Sequence, residues 1–347
     1  MALAIVAQSA TIAMIKPMRA TDRVPHDPDD PAIWINRADP AKSLVLGTIK
    51  VGAPDGGLAV FGIDGRLQQI LKGPDRPNNV DVEYGLDLGG TATDIAVLTE
   101  RNGRRLRVYA IARDGSALRD VSAGRMPILE GVSGDAGAPM GIGLYRRKDG
   151  AIFAIVSPKA GPREKYLWQY RLEDEGTGHV KATLVRRFGA FSGSGEIEAV
   201  AVDDELGYVY YADEDHGIHK WLADPDAPGA DRELALFGTT GYKQDREGIG
   251  IYALRDGKGY IVSVDQLAHE SVFHVYRREG EPGRPHDHSR VVASFTGGAD
   301  ETDGLDITSA ALGPDFPDGM MVAMNSASRN FLMYRWCDVA ALFLSAR

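Results

Sequence analysis

The sequence predicts an all-β chain, a six-bladed β-propeller closed by an N-terminal strand. Three observations carry this expectation. Short apolar runs alternate with turn signals, and 41 glycines and 18 prolines punctuate them, as expected of many short strands. Long helical periodicity is nearly absent. Three kinds of segment recur six times each in a fixed order, which marks a repeat architecture.

The aromatic member of the repeat is the easiest to read. GLAVFGIDG holds Phe61, RLRVYAI Tyr109, YLWQYRL Tyr170, GIHKWLA Trp221, VFHVYRR Tyr276 and NFLMYRW Tyr334, at intervals of 48 to 61 residues. Each interval accommodates four short strands. Just upstream of each stands a second segment: SLVLGTIK, DIAVLTER, AIFAIVSPK, GYVYYADED, GYIVSVDQ and GMMVAMNS. Further upstream lies a third: DDPAIWIN, NVDVEYGL, MGIGLYRR, IEAVAVDD, REGIGIYA and DGLDITSA. A weaker fourth follows the aromatic strands, as in LQQILKG, TLVRRFG, ELALFG and RVVASFTG. The sixth repeat lacks it and ends in the helix-like CDVAALFLSA. The segment ATIAMIKPM (10–18) has strand character and no other assignment. It is expected to supply the missing outer strand and close the ring, protecting the exposed edges of the terminal blades.

Residues 10–347 are therefore expected to form one propeller domain, since all-β folds reach this length as single units. Residues 1–9 read as a signal remnant or flexible lead-in. The stretch MALAIVAQSA is apolar and ends in small residues, without the basic start of a full signal peptide. No apolar run reaches the length of a membrane span. A net charge of −10 and a pI near 5.3 argue against broad nucleic-acid binding, which needs a basic face. Cys337 is the single cysteine, which excludes an intrachain disulfide and a cysteine-based zinc site. The chain is expected to be monomeric.

In a propeller the first strand of each blade lines the central channel. Those strands begin with Asp29 and Asp30, Asp81, Glu196 and Glu198, Asp245 and Glu247, and Asp303 and Asp306. Converging carboxylates repel strongly in a partly desolvated site. Hard divalent cations neutralise them, and calcium suits a flexible carboxylate cage. Turn acids at equivalent positions also arise from the local hydrogen bonds that Asp makes in turns.

The second strands end differently. Lys50, Arg101 and Lys159 close them in the first three repeats; Glu214–Asp215, Asp265–Gln266 and Asn325 close them in the last three. If these ends share a face, one half is cationic and the other anionic. Such a face holds metal on one side and a polyanion on the other. The histidines of PGRPHDHSR, His286 and His288, read as a solvated loop, as do His216 and His219. The stretch Arg101–Arg107 reads as a charged hairpin tip or an anion loop. No GxSxG elbow or phosphate-binding P-loop is present.

With these strings in place the chain resembles the β-propeller phytases, the calcium-dependent alkaline class. The resemblance runs from about Asp27 to the C-terminus through DDPAIW, NNVD, EAVAVDDELGYVYYADED, REGIGIY, KGY, ETDGLD and LGPDFPDG. It implies that Asp30, Glu198, Asp245 and Glu247 are calcium ligands, with Glu214, Asp215 and Asp303 in the same acidic pocket. It implies that Lys50, Arg101 and Lys159 bind phosphate, joined by Glu214 in holding substrate, and that Glu198 belongs to the catalytic set. The implied activity is calcium-dependent hydrolysis of phytate to lower inositol phosphates, of the 3-phytase class. The chain departs from the family pattern at Val51, where a second Lys is usual, and at Met140, where a Tyr is expected. It departs also at Glu83, in place of Arg, and at GGA 297–299. Two other classes stay open: a non-catalytic propeller binding phosphorylated ligands, and a calcium-dependent esterase or lactonase. Together with residues 1–10, the resemblance implies a secreted or periplasmic protein, with the cytoplasm left open.

Overall fold

β-branched and aromatic side chains fill runs such as Leu44–Ile49, Ile152–Pro158 and Tyr208–Asp213. These residues suit a pleated, buried surface. Every residue of the first two runs is buried, as expected of strands covered on both faces. The computed structural model describes residues 12–344, so the expectation for residues 1–9 lies outside the described residues. The strands form six sheets, one per repeat.

Blade one comprises Pro28–Trp34, Leu44–Ile49, Gly57–Gly62 and Leu67–Lys72. Blade two runs from Pro77–Leu88 to Leu118–Asp120, blade three from Pro139–Arg146 to Val180–Ala190 and blade four from Val200–Asp203 to Ala235–Phe237. Blade five runs from Arg246–Ala253 to Val291–Thr296, and blade six from Leu305–Thr308 to Asn330–Arg335. Neighbours within each blade pair antiparallel. The innermost strands touch their counterparts around the ring, so the chain is a six-bladed β-propeller. Its apolar core lies between blades, one cluster at each blade–blade contact.

The closure differs in detail from the expectation for residues 10–18. Ala13–Met14 pairs parallel with Val291–Thr296 and becomes a fifth strand of blade five. The outer strand of blade six is Arg19–Ala20, antiparallel to Asn330–Arg335. Met18 N donates to Met333 O at 2.8 Å and Thr21 N to Phe331 O at 2.9 Å on either side of it. One N-terminal segment therefore serves two adjacent blades. Pro17 separates the two pairings, consistent with its missing N–H donor. The helix Trp336–Leu344 follows blade six, and Trp336 stacks on Tyr252 of blade five with centroids 3.9 Å apart. Among the described residues no helix is long and apolar enough to cross a membrane.

His288 is a second correction. It is buried rather than solvated: its Nδ1 meets Arg277 O at 2.8 Å and its Nε2 meets Lys220 Nζ at 3.0 Å. His219 is likewise buried, against Glu233 and Asp213 and stacked on Tyr211.

Candidate active site

The site is built by one backbone device used four times. The innermost strand gains an extra residue against its partner between Pro28 and Pro31, Pro77 and Val80, Pro139 and Ile142, and Arg246 and Ile249. Such a bulge re-aims the side chains at the strand's start. The residues just inside it are Asp29, Asn78, Met140 and Glu247. In the first three blades a hydroxyl on the second strand accepts the following N–H: Asp30 N to Thr48 Oγ1 at 3.0 Å, Asn79 N to Thr99 Oγ1 at 3.2 Å and Gly141 N to Ser157 Oγ at 2.9 Å. Two residues beyond each hydroxyl, on the same side of the strand by its period of two, stand Lys50, Arg101 and Lys159. The T-x-K, T-x-R and S-x-K strings thus place one bulge support and one cation per blade.

Lys50 does not stand in a separate cationic half. Its ammonium pairs with Asp29 and lies 2.9 Å from Asp303 Oδ2. Burial works against this charge, yet Asp29, Asp303 and Glu198 outweigh it and hold the lysine protonated well above its ordinary value. Arg101 borders the acids: its Nη2 is 2.5 Å from Asn78 Oδ1 and 3.5 Å from Glu198 Oε1. Lys159 pairs with Glu196. Beyond Arg101 and Lys159 the surface opens into a shelf that Arg76 and Arg104 also line.

The acids converge opposite. One oxygen each of Glu196, Glu198 and Glu214 lie within 4.8 Å of one another, and Glu196 N donates to Glu214 Oε2 at 2.7 Å. Gly141 lets the blades close up here, since a Cβ on it would sit 2.0 Å from Glu198 O. Gly195, at φ +70°, turns the chain into Glu196. Asp215 accepts from Ser194 Oγ at 2.5 Å. Burial raises Asp245, and the Asp215 charge adds to it. Burial pushes the Glu214 carboxyl up to about 8, and burial followed by the charges of Glu198, Glu214 and Asp303 raises Glu247. Asp30 lines the channel beneath, where its Oδ2 accepts Val80 N from the next blade at 3.0 Å. Asp81 accepts Leu144 N and Asp306 accepts Ile33 N in the same way, at 2.6 and 2.7 Å.

The donor set fits a hard divalent cation. It is all oxygen, as such ions prefer. Lys50 meets Asp29 at Oδ1, but Asp29 Oδ2 and Glu247 Oε2 are buried with no hydrogen-bond donor. Buried charge without partners is costly, and a cation among these residues removes that cost.

The model of the phytase family matches residues 4–339. The chain belongs to the phytase family. A relative, the 3-phytase of Bacillus subtilis (strain 168), is 32% identical over 333 residues, which cover 90% of this chain and 80% of that protein. A solved structure of BBS1N in complex with ARL6DN is 10% identical, with a TM-score of 0.47 over 88% of this chain and 78% of that one; a likeness at that level carries no argument.

This phytase-family enzyme contains mouth residues that the sequence did not single out. Asp29 was legible in the DD pair, but only the bulge shows that it, more than Asp30, faces Lys50. Glu196 was legible as a strand-start acid, and its pairing with Lys159 was not. Asn78 sits in the quoted NNVD string, and Arg76 two residues before it. Arg105 and Arg107 both clamp the buried Glu100, so most of the Arg101–Arg107 stretch is a braced hairpin. Met140 is fully buried and presents its carbonyl to Thr99 Oγ1 at 2.5 Å.

Proposed function

We propose that this protein releases orthophosphate from phytate in a calcium-dependent reaction. One observation carries the reading: the acidic pocket and the cationic shelf share one mouth and meet at Arg101–Glu198 and Lys159–Glu196. Phytate is a compact polyanion and needs several cations at once. Arg76, Arg101, Arg104 and Lys159 supply them, with guanidinium forks suited to phosphate oxygens. Arg76 N donates to Val51 O at 3.0 Å, so Arg76 enters the mouth beside the position where the family pattern has a second lysine.

In this reading Asp29, Glu196, Glu198, Glu214, Glu247 and Asp303 hold calcium, with Asp30, Asp215 and Asp245 around them. Calcium bound there polarises phosphoryl oxygens and acidifies water. Arg101 and Lys159 grip the reacting phosphate and offset the charge on its equatorial oxygens. Lys50 supplies a fixed positive charge from within the pocket, and Glu214 borders the substrate. The apolar start at residues 1–10 supports export of the chain to the periplasm or medium.

A lactonase has no use for the shelf, because a lactone carries no comparable anion. The test compares orthophosphate release from phytate with hydrolysis of a simple lactone, both under calcium. Phosphate release without lactone hydrolysis is expected. The reverse result overturns the reading.

A further inference from the structure

We propose that Asn78 is a positioning residue that holds Arg101 and Glu198 in register while keeping them from closing on each other. The inference rests on the phosphatase reading above and concerns a residue that reading does not use.

Asn78 is fully buried at the bulge of blade two. Blades one and five carry Asp29 and Glu247 at the equivalent position, whereas blade two carries a neutral amide. Its Oδ1 accepts from Arg101 Nη2 at 2.5 Å. Its Nδ2 donates to Glu198 Oε2 at 2.9 Å and to Asn79 Oδ1 at 2.8 Å. Both donors and the acceptor of the carboxamide are therefore engaged. The two flanking groups demand opposite polarity: an acceptor towards the guanidinium and a donor towards the carboxylate. A carboxamide offers both from one short side chain. Aspartate keeps the acceptor but sets a second carboxylate against Glu198, and alanine offers neither.

The amide has a consequence for the ion pair. Arg101 Nη2 stands 3.5 Å from Glu198 Oε1, well outside the distance of a tight charge-assisted bond. With no amide between them, attraction in this buried site draws the guanidinium onto the carboxylate. A closed bidentate pair removes the guanidinium from phosphate and the carboxylate from a cation. Asn78 thus keeps two opposite charges adjacent and available.

The test is a double-mutant cycle on orthophosphate release from phytate at saturating calcium, with calcium affinity measured separately by calorimetry. Asn78→Ala is expected to lower kcat/KM and weaken calcium binding by about 10- to 100-fold each, as for other residues that orient a ligand. In an Arg101→Ala background the same change is expected to alter kcat/KM by less than about threefold, since coupled residues are not additive. Asn78→Asp preserves side-chain size and guards against a packing defect; it is expected to lose as much kcat/KM as alanine. A loss equally large with and without Arg101, wild-type kcat/KM in Asn78→Asp, or unaltered calcium affinity in Asn78→Ala overturns the proposal. Arg101→Ala alone reports on the parent reading. Turnover unaffected by it overturns the grip on phosphate and the positioning role with it. Turnover lost in Arg101→Ala but kept in Asn78→Ala overturns the positioning role alone.

Discussion

Lys50 Nζ lies 2.9 Å from Asp303 Oδ2, joining the second strand of blade one to the loop that opens blade six. The lysine also pairs with the fully buried Asp29. It is therefore the internal counter-charge of the pocket rather than a free hand for phosphate. Removing one partner of a buried pair costs about 3–5 kcal/mol. Lys50→Met is expected to lower the stability of the calcium-free protein by about 3 kcal/mol and to leave a larger calcium-induced stabilisation than in the wild type. Chemical denaturation with calcium and with chelator measures both. Equal stability in chelator contradicts this role.

Lys159 is the more accessible cation, and its only ion-pair partner among the described residues is Glu196. Lys159→Ala is expected to lower kcat/KM for phytate by a factor equivalent to about 2–4 kcal/mol, judged from other preorganised electrostatic donors. The thermal stabilisation by calcium is expected to survive. Wild-type turnover in this variant, measured as orthophosphate release, removes Lys159 from the grip.

The N-terminal segment makes a graded prediction. Deleting residues 1–17 removes the fifth strand of blade five and the buried Ile15, a loss of about 2 kcal/mol for one large apolar side chain. Deleting residues 1–21 also removes Arg19–Ala20 and opens the edge of blade six. Thermal melts are expected to show a modest shift for the first and loss of cooperative unfolding for the second. Similar melts for both contradict closure by Arg19–Ala20.

His288 gives the protein an acid-side weakness away from the mouth. Burial and the neighbouring Lys220 ammonium push its pKa down to about 4, against about 6.5 in an unfolded chain. The unfolded state therefore takes up the proton first. Stability is full above about pH 6.5 and falls as pH drops towards 4, by up to about 3 kcal/mol from this residue. Asp203, Arg278, Tyr208, Tyr210 and His286 also surround this site; burial and the Lys220 ammonium lower the His286 pKa as well, so His286 adds to the same acid-side slope. His288→Gln is expected to flatten the slope of stability between pH 6.5 and 4. An unchanged slope contradicts the assignment.

Much of the architecture was legible because the repeat is spaced by covalent chain length. Phe61, Tyr109, Tyr170, Trp221, Tyr276 and Tyr334 all fall on third strands, as their spacing required. The outer strand Leu118–Asp120 of blade two was not legible, since its three residues, LRD, hold a single apolar side chain beside two charged ones. The basic and acidic strand ends were legible as an inventory. Their pairing was not, because the bulges decide it: one extra residue in a strand reverses which side chain faces the mouth. Alternation alone cannot choose between Asp29 and Asp30, or reveal that Lys50 turns in towards one acid on a neighbouring strand and one on the loop that opens blade six. Arg76 escaped notice because it lies in a loop, where no period marks a shared face, and Arg104 was read only as part of the Arg101–Arg107 stretch, with a hairpin tip and an anion loop both open.

A mouth that combines a calcium cage with a grip on phosphate makes phosphate release depend on calcium. The most direct measurement is orthophosphate release from phytate by the purified protein, assayed with saturating calcium and after chelation, across about pH 6–9 where free carboxylates remain ionised. Steady release is expected with calcium, none after chelation, and recovery when calcium is restored. Absence of release at saturating calcium throughout that range, or release that chelation leaves untouched, would contradict this reading.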